Sequence, residues 1–315
     1  MYKDQTVVVP AFNEKKLVGR VIETMPEFVD RIVVVDDCSA DGTVSVVEGY
    51  RKNDGERIEL IRHDENQGVG GAIASGYEWA RDNDFDVAVV MAGDAQMDPG
   101  DLPALLDPVV EGKADYAKGD RLTGRVNLDV IPKARLWGNS ILSFLTKIAS
   151  GYWHVVDSQS GYTAINKRAL NTLDWSRMYR RYGQPNHLLV MLNVHNFRVA
   201  DVQIEPVYNV GEVSGLNIKK SIVTISWLLL RSFVWRLREK YVIRDFHPLV
   251  FFYLLGFGMA VLSIFFFGRL VVLWAQNGFV PGITFLAWMF SSIVGLQSIF
   301  FAMWFDMEHN RHLRG

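Results

Sequence analysis

Apolar and polar positions alternate in two distinct regimes along the chain. In the first third, short strand-length runs at 5–9, 31–35, 59–62 and 87–91 are rich in Val and Ile, and segments of helical spacing at 15–24, 43–52 and 71–82 lie between them. Near-continuous β-branched runs predict strands buried on both faces, and their alternation with helices predicts a mainly parallel, doubly wound α/β sheet. In such sheets ligands bind beyond the carboxyl ends of the strands, so the residues just after each run are the first place to look for chemistry.

The last quarter follows another rule. Two long uncharged stretches, 249–268 and 279–305, are separated by Gln276-Asn277-Gly278. About 20 apolar residues at 1.5 Å rise cover the roughly 30 Å hydrocarbon core, so each stretch is long enough to span a bilayer. Arg236, Arg238, Lys240 and Arg244 precede the first stretch, and Arg311 and Arg314 follow the second. The bias of basic residues toward the cytosolic side predicts an integral membrane protein with two transmembrane helices, the N-terminal domain and both termini lying in the cytosol. Upstream, 218–241 mixes Ile222, Ile225, Trp227, Leu228, Leu229 and Phe233 with Lys219, Lys220, Arg231 and Arg236, the pattern of a helix lying in the interface plane. The expected organisation is a soluble domain over 1–217, amphipathic interfacial helices over 218–246 and a two-helix transmembrane hairpin over 247–315.

Composition narrows this picture. Hydrophobic residues make up 49% of the 315, enough for a substantial core, and a formal net charge of −2 gives no field pointing to nucleic acid. A lone cysteine, Cys38, excludes an internal disulfide framework and fits a reducing compartment. The apolar run Val7-Val8-Val9 is too short for a secretory signal.

Three strand ends carry polar residues: Pro10-Ala11-Phe12-Asn13-Glu14, Asp36-Asp37-Cys38-Ser39-Ala40-Asp41-Gly42-Thr43 and Gly93-Asp94-Ala95-Gln96. In a parallel sheet they converge on one edge. Ionised Asp36 and Asp37 can accept hydrogen bonds from ribose hydroxyls or a base imide, while Asp41-Gly42-Thr43 can equally serve as a turn that caps the next helix. The first strand lacks the G-x-G-x-x-G turn of dinucleotide-binding domains, and no G-x-x-x-x-G-K-[ST] phosphate loop occurs, which argues against a dehydrogenase or a P-loop ATPase.

With Asn66-Gln67-Gly68-Val69-Gly70-Gly71-Ala72 between the second and third of these segments, the chain resembles family-2 glycosyltransferases, most closely those of the dolichol-phosphate (polyprenyl-phosphate) mannose and glucose synthase type. The resemblance implies a GT-A-like fold. It also implies inverting transfer of a hexosyl unit from a nucleotide sugar, a UDP- or GDP-sugar with a lean to UDP-hexose, to a polyprenyl or dolichyl phosphate at the membrane face. Carried over residue by residue, it places Pro10, Ala11, Asn13, Glu14, Asp36, Asp37, Gly68, Gly70, Gly93, Asp94 and Lys219 around the nucleotide sugar, with Asp37 on the base.

The family's D-x-D-x-Q motif, which holds Mg²⁺ or Mn²⁺, reads Ala92-Gly93-Asp94-Ala95-Gln96 here. Asp94 and Gln96 remain as metal ligands, and the missing carboxylate predicts weaker affinity or an altered metal preference. Arg121, after Lys118-Gly119-Asp120, and Arg135 are implied phosphate ligands. Asp157, in Asp157-Ser158-Gln159-Ser160-Gly161, corresponds to an acceptor-side motif, and the 208–220 segment to a loop that closes on the donor. A lipid phosphate is largely deprotonated near neutral pH, so charge neutralisation by Arg121, Arg135 and the cation matters more than a general base. A homo-oligomer, a tetramer by family analogy, is a further expectation. A non-catalytic scaffold that binds nucleotide sugar and a polysaccharide synthase are the rival readings. The second lacks a Q-x-x-R-W motif here.

Overall fold

A computed structural model describes residues 4–123, 133–205 and 218–315, with side chains described outside 133–139, 218–221 and 277. The chain divides into two compact units, residues 1–234 with 312–315, and residues 235–311.

The first unit is built on a seven-stranded sheet. Strands β1 (Gln5–Ala11), β2 (Arg31–Asp36), β3 (Ile58–Arg62) and β4 (Val87–Val90) lie where the apolar runs predict them. Strands β5 (Tyr116–Asp120), β6 (Thr163–Asn166) and β7 (Val199–Gln203) complete it, in the order β3-β2-β1-β4-β6-β5-β7. All neighbours are parallel except β6, which runs antiparallel to both β4 and β5. Between β1 and β4 the chain reverses its direction of travel across the sheet, the switch point at which open α/β sheets bind ligands.

Helices α1 (Val18–Glu23), α2 (Thr43–Asn53), α3 (Val69–Asp82), α4 (Leu102–Val110), α5 (Lys133–Ser150), α6 (Lys167–Thr172) and α7 (Gln184–Val194) surround the strands. One core layer joins Val7, Val9, Ile32, Val34 and Val89 to Val18, Val21, Val47 and Leu105. Ala72, Ile73, Tyr77 and Ala80 of α3 are also buried. With helices covering it, the central sheet is apolar throughout, which is why its strands read as continuous rather than alternating runs. Helix α1 starts three residues later than its spacing predicts, because the Glu14 and Lys15 N–H groups donate to Thr43 Oγ1 (2.9 Å) and Asp41 Oδ2 (3.1 Å) and tie 13–15 to the turn after β2.

Helix α8 (Ile218–Arg238) continues into a π-helical turn (Glu239–Arg244), and α9 (Leu249–Asn277) and α10 (Gly282–His309) form an antiparallel pair. This second unit is inside out relative to the first. Leu254, Ile264, Phe290 and Ile293 are exposed, whereas Arg236, Lys240, Asp306 and Asn310 are buried. Both α9 and α10 are long and apolar enough to cross a membrane. Of the basic residues counted ahead of α9, Arg236 and Lys240 are buried. Arg236 forks onto Asp306, with Nη1–Oδ1 at 2.8 Å and Nη2–Oδ2 at 3.0 Å, and Lys240 Nζ donates to Asn310 Oδ1 at 2.7 Å. Asp306 lies one residue beyond the uncharged stretch and draws these cations inward. Residues 312–315 return to the first unit, where Gly315 N donates to Val199 O at 2.9 Å.

Candidate active site

The ends of β1, β2 and β4 meet at the switch point. Gly93 N donates to Pro10 O at 3.1 Å, bringing the segment after β4 against the exit of β1. Asn13, in the left-handed region at φ 58°, donates from its backbone N to Ser39 Oγ (2.9 Å) and accepts on Oδ1 from Ala40 N (2.9 Å), which laces that exit to the turn after β2. Asp36 accepts from Ser39 N on Oδ2 at 3.1 Å, and its buried Oδ1 has no partner among the described residues. An orphaned carboxylate oxygen at a strand end fits a hydroxyl supplied by a ligand.

Asp37 is occupied differently. Its Oδ1 accepts from His63 Nδ1 and Gln67 N, both at 2.8 Å, and its Oδ2 accepts from Gly68 N at 2.7 Å. His63 reaches on through Nε2 to Ser75 Oγ at 2.9 Å, which fixes the ring. A carboxylate offers about four acceptor positions, so one is left on Asp37. The glycine-rich segment is thereby pinned from below.

From above it is pinned by residues 180 and 181, which no motif places there. Gly70 N and Gly71 N donate to Arg180 O at 2.9 and 3.3 Å, and Arg181 Nη1 donates to Asn66 Oδ1 at 2.9 Å. A Cβ on Gly68, which has φ +86°, would come within 2.4 Å of Arg180 O, and one on Gly70 within 2.1 Å of Tyr179 O. The sequence expectation places Gly68 and Gly70 around the nucleotide sugar. The backbone that comes closest to them is the chain's own, because two carbonyls of 179–180 fill the space that a side chain would need.

Asp94 accepts from Gln96 N on Oδ1 at 3.1 Å. Glu14 lies in its field: burial, then the charges of Asp94 and Asp41, push the Glu14 carboxyl up to about 7. Three acidic side chains, Glu14, Asp41 and Asp94, therefore act on one another here.

Thr163 of β6 pairs with Val90 on one side and Lys118 on the other, so the exits of β4 and β5 and the entry to β6 share one sheet edge. There Arg121 grips Asp157 in a fork, Nε–Oδ2 at 2.6 Å and Nη2–Oδ1 at 3.1 Å. Burial pushes the Asp157 carboxyl up, but the Arg121 charge and hydrogen bonds outweigh it and hold the group below its usual range. Lys118, fully buried, donates to Ser160 O, and burial lowers its amine to about 8. Across from it in the β5–β7 register, burial raises Asp201 to about 6. The side chains of Arg135 in α5 and Lys219 in α8, and residues 208–217 of the expected closing loop, lie outside the described residues.

The profile of Glycosyl transferase family 2 matches residues 6–174, which spans the sheet through β6 and every strand end described above. The chain belongs to this family. Over 214 residues it is 29% identical to UDP-N-acetylglucosamine--dolichyl-phosphate N-acetylglucosaminyltransferase of Methanococcus voltae, covering 64% of this chain and 85% of that protein. Over 228 residues it is 28% identical to polyprenol monophosphomannose synthase of Mycolicibacterium smegmatis, covering 70% and 84%. Among solved structures it is similar to glucosyl-3-phosphoglycerate synthase of Mycobacterium tuberculosis, with TM-score 0.52, 18% identity and coverage of 74% and 80%. The sequence similarity makes the chain a glycosyltransferase, and the structural likeness shows the GT-A-like fold.

In a family-2 glycosyltransferase of this fold a divalent cation is expected beside the segment after β4. Among the described residues no cluster of three or more His, Cys, Asp or Glu side chains is preformed. The oxygen donors present nonetheless fit a hard cation, which takes one or two carboxylates and completes its shell with substrate phosphate and water. Asp94 and the raised carboxyl of Glu14 beside it are the acidic groups that such an ion would meet. His63 and the 179–181 segment were the site's unread parts. His63 stands directly after β3, three residues ahead of the Asn66–Ala72 motif and outside it, and Arg181 is 115 residues from its partner Asn66, beyond any local pattern.

Proposed function

We propose that the protein transfers a hexosyl unit from a UDP- or GDP-sugar to a polyprenyl or dolichyl phosphate at the cytosolic membrane face, with inversion and with a divalent cation. The observation that carries this reading is the placement, on one sheet edge, of the acidic turns of β1, β2 and β4 and the Arg121–Asp157 fork, in a chain that runs on into two bilayer-length apolar helices. The names of the M. voltae and M. smegmatis relatives support the acceptor class.

The donor's ribose would meet the open oxygen of Asp36, and its base the remaining acceptor position of Asp37. Asp94 and Gln96 would hold Mg²⁺ or Mn²⁺, which when bound neutralises charge on the departing diphosphate. Arg121 would stabilise the anionic acceptor as it approaches the anomeric carbon. Asp157, ionised and buried, keeps that guanidinium aimed, so it acts by orientation rather than by taking a proton. Pro10, Ala11 and Gly93 would line the floor, and Arg135 and Lys219 would add charge from α5 and α8. Residues 1–217 would form the catalytic domain, 218–246 the interfacial helices and 247–315 the hairpin. A polyprenyl chain leaves the bilayer at about 0.8 kcal/mol per CH₂, so the enzyme is expected to work at headgroup level.

Purified protein incubated with Mn²⁺ or Mg²⁺, radiolabelled UDP- and GDP-sugars and polyprenyl phosphate should yield a lipid-linked monosaccharide. Absence of product from every donor would refute the assignment.

A further inference from the structure

Arg181 has five N–H donors and uses one of them, toward Asn66 at 2.9 Å; the others have no partner among the described residues. The same Asn66 side chain donates through Nδ2 to Asp37 O at 3.2 Å. One short amide therefore bridges an exposed guanidinium and the residue whose carboxylate, 4% exposed, keeps a single open acceptor position. Close packing fixes this arrangement, since a Cβ on Gly68 would meet Arg181 Cδ at 2.8 Å while Gly68 N is bonded to Asp37 Oδ2.

We propose that Arg181 is a second base-reading residue, which together with Asp37 selects nucleotides whose base presents an imide edge, uracil or guanine, against cytosine and adenine. The inference rests on the donor reading given above. A carboxylate accepts and a guanidinium only donates. Uracil offers N3–H beside the acceptor O4, and guanine offers N1–H beside O6, so each gives a donor to Asp37 and a carbonyl to Arg181. Cytosine and adenine carry the reverse order, a ring acceptor beside an exocyclic amine. Anchored through the ribose in the same register, they set a lone pair against the carboxylate and N–H groups against the guanidinium. Sites that read by hydrogen bonds reject such mismatches strongly because the buried polar groups are left unpaired.

The competing role for Arg181 is mechanical: to staple the glycine-rich segment to 179–181. Competition of UDP, GDP, CDP and ADP against a fluorescent UDP analogue, with the full-length protein in detergent at fixed Mn²⁺, separates the two. Wild-type protein should prefer UDP or GDP over CDP and ADP by about tenfold or more. Arg181→Met should bring that preference to within about threefold, chiefly by weakening UDP and GDP, while Asn66→Ala, which cuts the staple and keeps the guanidinium, should retain most of it. Arg181→Lys, which keeps a cationic donor, gives a second readout should the methionine variant fail to fold by circular dichroism, and should fall between. A parallel loss of all four nucleotides in Arg181→Met, or an unchanged UDP/CDP ratio in both Arg181 variants, would overturn the proposal. Failure of the wild-type protein to bind any of the four would instead bring down the donor reading itself.

Discussion

Glu14 sits between Asp94 and Asp41 with its carboxyl raised from the ordinary 4.5 to about 7, first by burial and then by those two charges. A carboxyl that binds its proton more tightly when folded than when unfolded favours the folded state at low pH, and that advantage fades as pH rises from about 4.5 through about 7. Glu14→Gln should therefore melt higher than wild type at pH 8 and show little difference at pH 4.5, which differential scanning of the two proteins would establish. Asp157 works in the opposite sense. Held below its usual range by Arg121, it remains ionised through neutral pH, and Asp157→Asn should cost about a hundredfold or more in kcat by releasing the guanidinium it aims. Steady-state kinetics with polyprenyl phosphate would show that loss. At this scale the sequence displayed the acidic residues but not their bonds: Asp36 keeps a bare oxygen, whereas its neighbour Asp37 carries three donors.

Among the elements, strands β1 to β4 were legible because burial on both faces leaves an unbroken apolar run, while β5, with Lys118 and Asp120 buried in it, carries no such signature. The helices ahead of the hairpin were half legible. Their apolar residues predicted an interface, but the inward turn of Arg236 and Lys240 depends on Asp306, 70 residues from Arg236, and no periodicity reports that pairing. Tyr241 OH donates to Asp306 Oδ1 at 2.5 Å, and Asn310 Nδ2 donates to it at 3.0 Å, so the carboxylate is fully dressed. Removing it would strand a buried guanidinium. Asp306→Ala is expected to lose about 3–5 kcal/mol, while the double replacement Arg236→Met with Asp306→Leu is expected to be near neutral. Unfolding of the detergent-solubilised variants would separate the two cases.

For the molecule as a whole, the change of regime from short buried runs to two bilayer-length stretches announced a folded domain followed by an apolar hairpin, and both are present. The sequence did not announce the return of the chain after the hairpin. Topology can be read with the protein's own probe, since Cys38 is the single cysteine and is exposed. If both ends of the hairpin are cytosolic, a membrane-impermeant maleimide should label Cys38 in inverted vesicles and not in sealed spheroplasts, and a Gly278→Cys variant lacking Cys38 should show the reverse.

Strand β7 closes one side of the sheet, and the backbone along its outer edge is met at Val199 by Arg314 and Gly315. These residues leave the ribosome after α9 and α10. During biosynthesis the β7 edge thus waits for this contact until the hairpin has been made, and an uncovered edge is the kind that recruits stray strands. That last backbone contact of the sheet is thus available only after both apolar helices, and a chain stalled before them would present the edge at Val199 to whatever chaperone or neighbouring chain reaches it first.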